Sequence, residues 1–167
     1  MKILKKTMSF LLCAVLMFSF FNINADASDN TDFIPYVIDF VVTTDINTAE
    51  TNETSSRASG LIGSYGLTLT TKANSTLYLE GLTNCSPEVV KCGFKDLTVQ
   101  RRKTTSDAWK DYYEYGNVYA EATAAGLSTT LAVESGYQYR IYCKHYAKKN
   151  IFSVETIANT SNIVTVS

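Results

Sequence analysis

The run GYQYRIYCKHYAKK, residues 136–149, follows Ser135 as a turn and then alternates with period two. Tyr139, Ile141 and Cys143 fall on one side, and Gln138, Arg140, Tyr142 and Lys144 on the other. That is the pattern of a strand with one face in a core and one in water. The same run holds the chain's only histidine, His145, two residues after Cys143. It therefore predicts both a central strand and the first place to look for chemistry.

Working outward, the same period recurs. Leu67 and Leu69 alternate with Thr68 and Thr70, and Leu77 and Leu79 with Tyr78 and Glu80, across a turn at residues 72–75. Leu97 and Val99 follow, then 109–115 after a polar stretch, then Leu127, Thr129, Leu131 and Val133, with 163–166 closing. About seven short strands at regular spacing, without intervening helical patterns, predict an all-β antiparallel sandwich. One domain over 59–167 is expected at this length.

The preceding segments differ in kind. Lys2, Lys5 and Lys6 precede an apolar run over 8–21, and Ala25 and Ala27 are small residues placed for a signal peptidase. Residues 1–27 are expected to be a cleaved secretory signal, leaving no membrane anchor, because roughly 20 apolar residues are needed to span. Residues 28–58 are expected to be a flexible lead-in, since 43–57 carries almost no apolar content. Within it, 33–42 is aromatic and β-branched, and Pro35 restricts it to a sheet edge. Cleavage would leave 140 residues with a net charge near −3. Nucleic-acid binding is not expected, because Arg101-Arg102-Lys103 and the lysines at 144, 148 and 149 form no basic stripe.

Two resemblances follow from these motifs. Leu97-Thr-Val-Gln-Arg, a polar hairpin and Trp109 resemble the third strand and turn of fibronectin type III modules. Gly136 to Tyr142 resembles the tyrosine corner and sixth strand of the same immunoglobulin-like sandwiches, with Tyr139 in the corner position. The likeness implies that Tyr139 buries its ring and returns its hydroxyl to the backbone across the loop. Lys91-Cys92-Gly93-Phe94 together with Tyr142 to Ala147 is similar to small uncharacterised secreted proteins of Gram-positive bacteria, which lend no activity. Type III modules usually lack cysteines, so adhesion functions do not carry across on fold alone.

Cys85, Cys92 and Cys143 lie beyond the signal, an odd number for an oxidising compartment. Cys92 with Cys143 is the expected disulfide, since antiparallel neighbours would bring the two together near one end of the sandwich, leaving Cys85 free. The loop it closes is worth roughly 4 kcal/mol, against about 2.5 for Cys85 with Cys92. Cys85–Cys92 and Cys85–Cys143, the latter resembling the immunoglobulin bridge, stay open, because spacing does not set connectivity.

No catalytic residue, metal or cofactor is expected. Cys143 and His145 share a strand face, yet no third group is spaced to orient them. Cys85, Cys92, Cys143 and His145 lack the close ligand pairing of structural zinc sites. Asp and Glu form no paired motif that would suggest a glycosidase. Aromatic content stands out: Tyr112, Tyr113, Tyr115 and Tyr119 cluster after Trp109. Ordinary sheet tyrosine is one reading. The sharper one is a recognition surface of Trp109, Tyr112, Tyr113 and Tyr142, suited to a glycan or a surface protein. A non-catalytic secreted binding module is thus expected, with an effector or inhibitor of one protein partner as the rival and an extracellular hydrolase behind both.

Overall fold

A computed structural model describes residues 33–43, 54–56 and 60–167. The stretch 1–27 expected to be a signal and most of the expected lead-in lie outside the described residues. Among those described there are ten strands and no helix: β1 (Tyr36–Thr43), β2 (Thr54–Ser56), β3 (Ile62–Lys72), β4 (Thr76–Cys85), β5 (Lys91–Arg102), β6 (Lys110–Ala120), β7 (Ala124–Ala132), β8 (Tyr137–Asn150), β9 (Ser153–Thr160) and β10 (Val164–Val166). Three lie outside the seven expected: β1, which occupies the stretch read as an edge strand, and β2 and β9. The compact unit runs from Phe33, so β1 belongs to the sandwich that the sequence reading began at residue 59.

Two antiparallel sheets result, ordered β1-β7-β4-β3-β2 and β10-β8-β5-β6, with β9 also pairing β8. They share one core. Leu67, Leu69, Leu77, Leu79 and Leu131 of the first sheet meet Phe94, Leu97, Val99, Tyr139 and Ile141 of the second, all essentially inaccessible to solvent. Each such side chain contributes about 1.5–3 kcal/mol over its exposed state. β8 shows the alternation most plainly, with Tyr139, Ile141, Cys143, His145 and Ala147 buried in turn. β7 is buried at nearly every position because it is central to its sheet and built of small residues.

A bulge reconciles β5 with this core. Phe94 and Leu97 are three apart, so strict alternation would send them to opposite faces, yet both are fully buried. The registers with β6 and β8 shift between residues 94 and 98, and Asp96 adopts φ +55°. The extra residue re-aims Leu97 inward. It also turns Asp96 out, where Asn117 Oδ1 accepts its N–H and Lys144 Nζ lies 2.8 Å from its carboxylate.

Two polar devices tie the sheets together. The Tyr139 hydroxyl donates to the Glu134 carbonyl at 2.6 Å, spanning the loop from β7 to β8. Removing that hydroxyl leaves a part-buried carbonyl without this donor. Tyr139→Phe is expected to cost about 1–3 kcal/mol in a urea melt; an unchanged midpoint would refute the corner's contribution. At the other edge, Asn162 uses its side-chain amide as a backbone mimic: Oδ1 accepts the Leu69 N–H at 2.9 Å and Nδ2 donates to the Leu69 carbonyl at 2.7 Å.

Candidate functional site

The cysteines come first, and they correct an expectation. β5 and β8 pair Cys92 with Ala147. Cys143 lies four residues further along β8, roughly 13 Å at the strand rise, whereas a disulfide needs Cα atoms within about 7 Å. Cys92 and Cys143 are therefore not partners. Instead the thiols of Cys85 and Cys92 lie close enough to influence each other. Their proximity lowers the Cys92 thiol and raises that of Cys85, because one thiolate of a close pair favours the neutral form of the other. Cys143 stands apart, fully buried, and burial pushes its thiol up. All three are free thiols in this structure. If the folded chain is oxidised, peptide mapping under non-reducing conditions is expected to recover Cys85 joined to Cys92, with Cys143 alkylated only in denaturant. A bridge to Cys143 would contradict the register.

His145 is fully enclosed. Its Nδ1 lies 2.7 Å from Thr83 Oγ1, which donates to the Gly93 carbonyl at 3.1 Å. The hydroxyl proton being used, Thr83 can only accept from the ring, and the network assigns the Nδ1–H tautomer. Nε2 then accepts from Asn159 Nδ2, 3.4 Å away, with the Tyr65 and Phe94 rings alongside. Burial lowers the imidazole pKa to about 3. Among the described residues no group of three or more His, Cys, Asp or Glu side chains is placed to hold a metal ion.

The four aromatic residues expected to form one surface are not brought together. Tyr112 packs against the core, edge-on to Tyr139 at 5.5 Å, and its hydroxyl accepts the Glu134 N–H. Tyr113 packs at the core margin, edge-on to Tyr115, which stacks on Phe40. Trp109, just ahead of β6, has the guanidiniums of Arg102 and Arg140 each 4.4 Å from its ring. Arg101 lies in turn against both Tyr112 and Tyr137. Tyr112 and Tyr113 are thus largely spent on packing against the core, and the half-buried Trp109 on two guanidiniums.

Tyr142 differs. It points out from the second sheet into an open concavity of about 390 Å³, lined also by Asp96, Gln100, Asp111, Glu114 and Asn117. Gln100 bridges here, donating to Asp111 Oδ1 at 2.8 Å and accepting from Arg140 Nε at 2.9 Å. Lys144 holds the Asp96 carboxyl below its ordinary range. Glu114 and the Tyr142 hydroxyl make no hydrogen bond among the described residues. A second hollow of about 380 Å³ is walled by Arg101, Arg102, Lys103, Asp107, Lys110 and Tyr137. Sequence reading named Tyr142 but missed its acidic and amide neighbours, since only the bulge at Asp96 and the β5–β6 register bring them together.

No protein-family model, curated protein or solved structure matches the chain.

Proposed function

We propose that this is a secreted, non-catalytic binding module on a fibronectin type III-like sandwich, whose ligand is a glycan taken on the outer face of the second sheet. The observation that carries the reading is the Tyr142 ring, set in an open hollow among carboxylates and amides. A sugar presents an apolar C–H face to an aromatic ring and hydroxyl donors to Asp and Glu acceptors around it. The residues assigned are Tyr142 for stacking, with Gln100, Asp111, Glu114 and Asn117 for hydroxyls. The enclosed His145, its ring nitrogens engaged by Thr83 and Asn159, supports binding over hydrolysis. For the finer fold, counting from β3 makes β5 the third and β8 the sixth strand, and the Tyr139 hydroxyl reaches backbone five residues upstream. The signal-like start of the chain and the resemblance to Gram-positive secreted proteins support an extracellular setting.

A glycan array probed with the purified chain tests this. Tyr142→Ala is expected to weaken any hit about tenfold or more while leaving the melting temperature unchanged, as for an exposed anchor residue. The rival, a protein partner, is favoured by the turn between β8 and β9, where Ile151 is 75% and Phe152 93% exposed. An array without hits, alongside a protein captured through that turn, would move the assignment there.

A further inference from the structure

We propose that this face takes an extended glycan chain of several sugar units and not a single sugar, with Tyr146 as a second stacking station beyond Tyr142; the inference rests on the glycan reading. Its ground is the order of side chains along the outer face of the second sheet. β8 alternates without interruption from Gln138 to Lys148, so Tyr142, Lys144 and Tyr146 all point away from the core. Four strand steps put Tyr146 about 13 Å from Tyr142. One sugar ring falls well short of that span, so a ligand that meets both rings is a chain.

A glycine makes room for the second station. The registers pair Gly93 with Tyr119 on one side and with Tyr146 on the other, which places all three positions on one face. β6 and β8 are not neighbours, since β5 runs between them. Their two rings nevertheless meet, with centroids 4.8 Å apart, because the residue between them has no side chain. Tyr119 is backed by Lys91, whose Nζ lies 5.1 Å from the ring centroid. Tyr146 leans on Tyr119 and carries no cation on its own ring among the described residues. Both tyrosines are only partly buried, and neither hydroxyl makes a hydrogen bond among the described residues. Tyr146 is thus an aromatic surface propped from one side, with its polar tip unspent.

The opposite end of the face offers no such surface, because Trp109 already holds the guanidiniums of Arg102 and Arg140. The chain therefore extends from Tyr142 toward Tyr146 and not toward Trp109. The ground it crosses is polar and continuous with the hollow, which Asp96 and Asn117 line together with Tyr142. Lys95 lies opposite Lys144, and Lys144 Nζ meets the Asp96 carboxylate. Asn117 Oδ1 accepts the Asp96 N–H, which leaves its amide N–H groups open among the described residues. Sugar hydroxyls between the two rings meet donors and acceptors there. Because both stations follow one strand, the chain that suits them is straight, as β-1,4-linked chains are.

The full chain is titrated calorimetrically with the disaccharide and the hexasaccharide of β-1,4-linked glucose, and with the same pair of β-1,4-linked N-acetylglucosamine. In at least one series the hexasaccharide is expected to bind about tenfold more tightly than the disaccharide, because the second contact becomes intramolecular. Tyr146→Ala is expected to bring the hexasaccharide down to the affinity of the disaccharide and to leave the disaccharide unchanged, while Tyr146→Phe keeps the preference. Should Tyr146→Ala fail to fold, Tyr146→Leu, which keeps an apolar cover on Tyr119 without a ring, carries the same test. Equal affinity for the two lengths would overturn the second station and leave the glycan reading standing. So would a Tyr146→Ala that keeps the preference or weakens both lengths alike. Binding in neither series would overturn both readings.

Discussion

Alanine at position 93 is expected to destabilise the protein by about 3 kcal/mol or more. Gly93 holds φ +146°, open to glycine and strained for an L side chain, and lies opposite Tyr119 of β6 and Tyr146 of β8. A Cβ there would stand 2.2 Å from the Val118 carbonyl oxygen and 2.9 Å from the Tyr119 Cα. Both are backbone atoms of a paired strand, so relief means opening the ladder between β5 and β6. Backbone strain costs about 1–3 kcal/mol and overpacking about 1–3 more. The Gly93 carbonyl is also the acceptor for Thr83, so the disturbance reaches His145. Gly136→Ala is the matched control: φ +83° with no atom within 4 Å of the added Cβ, hence strain without collision. Urea midpoints that fell equally in the two variants would show that the collision relaxes locally.

Acid is expected to act through His145. Its imidazole pKa is about 3 in the folded chain, against about 6.5 when exposed. Between these values the unfolded chain binds a proton that the folded chain refuses, so stability is present above pH 6.5 and is lost as pH falls. The slope is about 1.4 kcal/mol per pH unit, and the loss approaches about 4–5 kcal/mol near pH 3. Carboxylates add their own acid effects lower down, so the informative window is about pH 4.5–6.5. His145→Gln is expected to flatten the profile in that window even if its stability at pH 7 is lower. A wild-type curve already flat there would mean that the ring is protonated in place.

What was legible before the structure follows from period two. Alternation located β3, β4, β5, β7 and β8, and the Tyr139 motif pointed to the hydroxyl that bridges to Glu134. β9 escaped because its inward positions include Ser153, Glu155 and Asn159, polar side chains that meet polar partners: Glu155 accepts the N–H groups of Leu61 and Ile62. Hydrophobic patterning is blind to a strand seated that way. The bulge at Asp96 escaped because a period assumes that every residue takes one step. The cysteine pairing needed register, and spacing holds none: Cys92 meets Ala147 while Cys143 sits on the same strand out of reach. The aromatic cluster misled for a related reason. Counting rings does not reveal what covers them, and the covers here are Arg101, Arg102 and Arg140, brought in from β5 and β8.

The Asn162 amide sets how this molecule behaves in a crowded solution of its own copies. A strand with unanswered N–H and C=O groups is a template on which another chain can add. Beyond Gly66, β3 has no described ladder partner on the side away from β4, and Leu69 lies in that stretch. Asn162 fills both hydrogen-bonding positions of Leu69 with a side chain that cannot itself be extended by a further strand. The open margin of a sheet is thereby closed by one residue, and growth from molecule to molecule is interrupted at the point where an incoming strand would start to zip.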